Sequence, residues 1–176
     1  MEASAASAFM DSWRRLDVAS VADARTLLLA CCGSARWVDR MLARRPFGSR
    51  IGLLTAAREE WNALEPRDWL EAFGHHPKIG DRASLAERFP AMYELSQKEQ
   101  AGVTGASNAV LDALADGNRA YEDRFGYIFI VCATGKSAEA MLALLRERLS
   151  NQPDAELRIA AGEQAKITAL RLEALR

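Results

Sequence analysis

Histidine is nearly absent from this sequence: 176 residues carry two, and the two stand side by side as His75 and His76. Cysteine is scarce as well, with Cys31 and Cys32 adjacent and Cys132 far away, so there is neither a disulfide framework nor a CxxC pair for zinc. No HxxxH or HxH spacing exists, and adjacent histidines cannot easily ligate one ion together, which argues against a metal-dependent hydrolase. There is no clustered basic face. The 23 basic and 24 acidic residues are spread along the chain, so nucleic acid is not an expected partner. No apolar run approaches the roughly 20 residues that cross a bilayer, and the start MEASAASAFM lacks the regions of a signal peptide. These absences leave the expectation of a reduced, cytoplasmic, single-domain protein without membrane contact, whose Ala/Ser-rich residues 1–18 read as disordered.

What the chain does have is a turn, His75-His76-Pro77-Lys78-Ile79-Gly80-Asp81, placed directly after Gly74. Glycine and proline on either side stop helix and strand alike. Imidazole is the side chain whose ordinary pKa lies nearest neutrality, so a histidine in a rigid turn is a candidate for proton transfer.

Around this turn the pattern is helical. Ser20 caps a helix through Leu27, Leu28 and Cys31 that Gly33 would end in the left-handed conformation. Ser34 restarts a second, with Trp37, Val38, Met41 and Leu42 as its stripe and Pro46 beyond its end. Ser49 caps a third, with Leu54, Ala57, Trp61 and Leu64 on its face. Pro66 opens a short fourth, with Trp69, Leu70 and Phe73 inward and Gly74 closing it. Residues 82–95 read as a loop. Ser96 opens a long helix through Val103, Val110, Leu111 and Leu114, with Asn118, Tyr121 and Phe125 near its end, and Gly126 stops it. Residues 127–133, YIFIVCA, form a β-favouring apolar run too isolated to pair, taken as a buried extended segment crossing the core. Ser137 caps a helix with Met141, Leu142, Leu145 and Leu149 inward, and Asp154 a last one through Leu157, Ile159, Ala160, Ile167 and Leu170. The expected fold is an all-α, single-domain helical bundle.

Several motifs have plain structural explanations. Thr134-Gly135-Lys136-Ser137 ends like a Walker A loop, but Ile130 stands where that loop needs glycine, so a turn followed by a serine cap accounts for it. Ser96-x-x-Glu99 is a capping box. A helix N-terminus also suits an anionic ligand, and Glu99 with Gln100 would offer a carboxylate and a two-way amide to a flat heterocycle such as a ureide or purine derivative. Arg148 and Arg171 lie near the polar borders of helix faces, where most arginines are solvated and some act as ligand clamps. Phe125, Tyr127 and Phe129 read as core, and Cys132 as a small buried hydrophobe.

Four patterns occur in order: HPKIGD; S-x-x-EQ at Ser96 to Gln100; N-x-x-Y-x-x-x-FG-x-x-FI at Asn118, Tyr121, Phe125, Gly126, Phe129 and Ile130; and E-x-x-KI-x-x-LRL at Glu163, Lys166, Ile167, Leu170, Arg171 and Leu172. Together they resemble the 2-oxo-4-hydroxy-4-carboxy-5-ureidoimidazoline (OHCU) decarboxylase family, over nearly the whole chain from Ser20 onward. DWLEAF before the histidines is similar to the decarboxylase half of its plant-type bifunctional members. The resemblance implies an all-helical enzyme with no metal or organic cofactor, which turns the ureidoimidazoline into (S)-allantoin and carbon dioxide, the last step of urate degradation to allantoin. It implies His76 as the catalytic imidazole, because the family motif is His-Pro, with Glu99 as its partner carboxylate. It places substrate contacts at Pro77, at Ser96, Gln97, Lys98, Glu99 and Gln100, at Phe129, Ile130, Val131, Cys132 and Ala133, and at Arg171. His75 has no implied role. The bifunctional members carry a hydroxyisourate hydrolase domain behind the decarboxylase, and this sequence stops at Arg176 without one, so a functional link to a separate hydrolase, or a longer native chain, is expected. The Leu- and Trp-rich N-terminal helices could support a homodimer. Peroxisomal relatives end in a Ser-Lys-Leu-like address, whereas this chain ends Glu-Ala-Leu-Arg. The contrasting expectation is a non-catalytic helical interaction module in which the His-Pro turn is only a corner.

Overall fold

Serine side chains begin four of the helices that frame this molecule. In the computed structural model, which describes residues 11–77 and 108–175, Ser20, Ser34, Ser49 and Ser137 accept hydrogen bonds from the amides of Asp23, Trp37, Gly52 and Ala140. Eight helices are seen among the described residues: α1 (Ser12–Val18), α2 (Val21–Cys31), α3 (Ala35–Ala43), α4 (Arg50–Asn62), α5 (Pro66–Gly74), α6 (Asn108–Phe125), α7 (Ala138–Arg148) and α8 (Pro153–Ala174). Pro66 and Pro153 take first-turn positions, where the missing N–H costs nothing. Gly126 follows α6 with φ +79°, a conformation glycine adopts freely.

Residues 127–133 cross the molecule as extended backbone without strand pairing. Successive side chains of extended backbone point in opposite directions. Accordingly, Ile130 and Cys132 join one apolar cluster with Leu28, Trp37, Met41, Leu53, Trp61 and Phe73, whereas Phe129 and Ala133 join a second with Leu114, Tyr121, Met141 and Leu145. Both faces are buried, which is why the run is continuously apolar. The long helix α8 packs on α1, α2, α4 and α5, and α6 packs on α7.

Several expectations are corrected. Residues 12–18 are not disordered but form α1, which buries Leu16. Gly33 has no left-handed backbone; α2 ends at Cys31, and Cys32 is already extended. The last helix begins at Pro153 with Gln152 in the cap position, so Asp154 lies inside its first turn. Leu70, Ile159 and Leu170 are 41, 41 and 39 % exposed rather than inward. The cause in α8 is that its core-facing positions hold polar side chains, Glu156, Gln164, Thr168 and Arg171, interleaved with Ala160, Ala161, Ile167 and Leu172. The loop expected at residues 82–95 and the helix start expected at Ser96 lie outside the described residues.

Arg148 and Arg171, expected at polar borders, are 6 and 1 % exposed. Arg148 is held on every side. Its Nε donates to Glu156 Oε1 at 2.7 Å, Nη1 to the Ile130 carbonyl at 2.8 Å and Nη2 to the Tyr121 hydroxyl at 3.3 Å. The Tyr121 hydroxyl donates to the same Glu156 oxygen, and Asn151 Nδ2 reaches the other at 2.7 Å. The guanidinium also stacks 4.7 Å from the Phe129 ring. Arg148 is therefore a structural anchor that joins α6, α7 and α8 to the extended segment.

Candidate functional site

Helix α5 delivers the two histidines. Its C-terminal turn is closed by the amides of His75 and His76, which donate to the carbonyls of Ala72 and Phe73 at 3.2 and 3.1 Å. His75 is pressed against the connection after α2: a Cβ built on Gly33 would lie 2.3 Å from His75 Cγ and 2.5 Å from its Cβ. Glycine at position 33 thus serves close approach rather than turn geometry. Neither His75 atom is the free end of a flexible chain, so Gly33→Ala is expected to cost about 1–3 kcal/mol through overpacking, read as a lowered denaturant midpoint at unchanged slope.

The consequence of that contact is a fixed direction for His76. Its half-buried ring meets α8, with Nε2 2.5 Å from Gln164 Oε1, while Gln164 Nε2 donates to Thr168 Oγ1 at 3.2 Å. Gln164 is fully buried and Thr168 nearly so. One turn further along the same face stands Arg171, whose Nη1 is 3.5 Å from the Cys31 carbonyl. Burial, the Arg171 charge and the neighbouring His75 push the His76 imidazole down to about 3, against the opposing effect of Gln164. At neutral pH the ring is uncharged.

His76 also lines a cavity of about 250 Å³, together with Leu70, Phe73 and Gly74 of α5, Glu122 of α6, and Gly126, Tyr127 and Ile128. The outward turn of Leu70 is explained by this cavity. The space suits a small, polar, ring-sized molecule.

The structure brings His76, Pro77 and Arg171 to one region, with the start of the extended segment on the cavity wall. Phe129, Ile130, Cys132 and Ala133 are buried and Val131 partly so. The Cys132 amide is already engaged, donating to Glu163 Oε2 at 2.7 Å, and the Cys132 carbonyl accepts from Lys136 Nζ at 2.7 Å. Glu163, half-buried, would be raised by burial, but Lys166 and the Cys132 amide outweigh that and hold its carboxyl below the usual range. The E-x-x-K motif of α8 thereby pins the extended segment. Ser96, Gln97, Lys98, Glu99 and Gln100 lie outside the described residues. Gln164, Thr168 and Glu122 were missed in the sequence, although polar residues at positions 164, 168 and 171, which share one helix face among buried neighbours, are a usable signal.

The depressed imidazole has a linkage consequence. The unfolded ring titrates near 6.5 and the folded one near 3, so the unfolded state binds more protons between these values. His76 therefore contributes stability that is whole above about pH 6.5 and is lost as pH falls. The drop in Tm between pH 7 and pH 5 is expected to be smaller in His76→Gln than in the wild type, measured by calorimetry.

Fold and site together define a helical enzyme-type pocket in which an uncharged imidazole faces a small cavity beside a buried guanidinium. Comparison with known proteins identifies the lineage. The family model described as OHCU decarboxylase matches residues 17–173, and the chain belongs to that family. It is 40 % identical over 146 residues to the uric acid degradation bifunctional protein TTL of Arabidopsis thaliana, covering 82 % of this chain and 45 % of that protein. It is 36 % identical over 129 residues to the OHCU decarboxylase of Amia calva, covering 73 % of each. Among solved structures, an OHCU decarboxylase crystallised in the presence of (S)-allantoin superimposes with TM-score 0.73 at 37 % identity, over 85 % of this chain and 96 % of that one. An (S)-allantoin synthase shares the fold, with TM-score 0.67 at 19 % identity over 92 % of this chain and 53 % of that one.

Proposed function

We propose that this chain catalyses the cofactor-independent decarboxylation of OHCU to (S)-allantoin and carbon dioxide, with His76 transferring the proton. The single observation that carries the reading is the His76 imidazole, held 2.5 Å from Gln164 Oε1 and set in the wall of a cavity of about 250 Å³, in a chain of this family.

The chemistry asks for little more. The bond from the ring carbon to the carboxylate breaks, carbon dioxide leaves, and the electron pair passes into the conjugated ring, whose imine nitrogen takes a proton from solvent. The substrate is its own electron sink. The hydroxyl on the decarboxylated carbon then loses its proton to become the ring carbonyl, while the neighbouring carbon gains one on a single face. An uncharged imidazole is a base whose one N–H is far too weak an acid to protonate carbon, so His76 first accepts the hydroxyl proton and then, as imidazolium, delivers one to carbon. Arg171, fully buried next to His76, supplies the positive charge that steadies the developing anion. Glu99 is proposed to orient the substrate, with Pro77, Ser96, Gln97, Lys98 and Gln100 contacting it. Of the extended segment, the backbone amides of Phe129, Ile130, Val131 and Ala133 are proposed to hold the ring oxygens, whereas the Cys132 amide is engaged by Glu163.

The reading includes supply of the substrate by a hydroxyisourate hydrolase, a cytoplasmic location and a homodimer through the N-terminal helices, the last checked by sedimentation. The direct test is to generate OHCU enzymatically and follow its absorbance and released carbon dioxide with and without the purified chain. Acceleration over spontaneous decay, with one carbon dioxide per substrate, is expected. Decay at the buffer rate would instead fit a helical interaction module.

A further inference from the structure

We infer that Gln164 is a positioning residue that locks His76 in the tautomer protonated at Nε2, leaving Nδ1 as the only basic atom of the ring. The inference rests on the decarboxylase reading for its catalytic meaning, but not for its geometry.

A neutral imidazole has one donor and one acceptor nitrogen, and which is which follows from the hydrogen bond that either one makes. Here Nε2 faces Gln164 at 2.5 Å. The glutamine amide can present its oxygen or its nitrogen, and its other end decides. That end meets Thr168 Oγ1 at 3.2 Å. The Thr168 oxygen accepts from Gln164 Nε2, so Gln164 Oε1 is the end turned to His76, and an amide oxygen can only accept, which makes Nε2–H the donor. The proton order runs His76 to Gln164 to Thr168. Gln164 and Thr168 are buried and carry no titratable group, so this end of the chain keeps its order across the neutral range.

The alternative order would place the proton on Nδ1 and leave Nε2, the nitrogen facing Gln164, as the basic atom. Among the described residues, the charged and titratable groups around the ring are Arg171 on α8, His75 beside it in the turn, and Glu122 and Tyr127 across the cavity. The bond that sets the tautomer is the one Nε2 makes with Gln164. Because its amide is neutral, it orients the ring without charging it. A carboxylate in the same place would raise the imidazole pKa and hold a proton on both nitrogens.

With two histidines in the chain, long-range proton–nitrogen correlation spectra of the uniformly labelled protein give two ring systems, assigned with His76→Gln. The wild type is expected to show His76 protonated at Nε2, with a pyridine-like Nδ1 and no titration between pH 7 and pH 5. Gln164→Glu should raise the His76 pKa, seen as the onset of its double protonation at higher pH than in the wild type, and move the acid limb of kcat upward by roughly one pH unit or more, with KM little changed. Gln164→Leu should mix the tautomers and lower kcat on the order of a hundredfold. An Nδ1-protonated ring in the wild type, or a His76 spectrum indifferent to Gln164→Glu, overturns the inference. The wild-type spectrum needs no activity, so a fixed tautomer in a chain that fails to accelerate decarboxylation would sink the functional proposal and leave this one standing.

Discussion

Arg148→Met is expected to lower the stability of the folded chain by about 3–5 kcal/mol, the range for breaking a buried pair while leaving one charge behind. The stranded group would be Glu156, fully buried, which accepts from Arg148, Tyr121 and Asn151. The Ile130 carbonyl and the Tyr121 hydroxyl would lose a partner as well. Glu156→Gln should cost less, since an amide still accepts and leaves Arg148 a carbonyl. Replacing both partners, Arg148→Met with Glu156→Leu, should recover part of the loss, because no unpaired charge remains. Chemical denaturation of the three variants measures this. An Arg148→Met midpoint equal to that of the wild type would show that the network is idle.

His76→Gln is expected to lower kcat by about 10²–10⁴-fold, the usual worth of a positioned proton-transfer group, with KM little changed. Glutamine matches the donor capacity of the ring toward Gln164 but cannot accept and return a proton. Since the folded imidazole is pushed down to about 3, the wild-type rate should not fall as pH drops from 7 to 5 through titration of this ring. His75→Gln should leave the rate within a fewfold, because His75 packs against Gly33 instead of lining the cavity. Its role is to fill the corner that aims its neighbour.

Much of this architecture is written in local chemistry. Ser20, Ser34, Ser49 and Ser137 announce helix starts because a side-chain oxygen is the nearest acceptor for an orphan amide, and they behave so here. The run 127–133 reads correctly as buried and extended because its two faces meet two different clusters. Asp154 misleads because Pro153 satisfies the first helical position and moves the cap two positions earlier, to Gln152. Gly33 misleads because its reason is a side chain 42 positions away in sequence, at His75, which no local rule can see. The polar face of α8 is the larger lesson. Apolar periodicity puts Ile159 and Leu170 inside, yet the inward positions hold Glu156, Gln164, Thr168 and Arg171, because there the helix anchors a network at one end and orients an imidazole at the other. The motif-level signal named His76 and Arg171, whereas Gln164 became visible only once two helices were placed together.

The account stands most directly on the handedness of the product. Uncatalysed protonation of the planar ring carbon in solution has no preferred face and gives racemic allantoin, so optical activity reports proton delivery on one face. Circular dichroism of allantoin formed from fresh OHCU should show pure (S) product with the wild type and with His75→Gln, and none above background with His76→Gln. Racemic product from the wild type, or full (S) product from His76→Gln while His75→Gln loses it, would contradict the account.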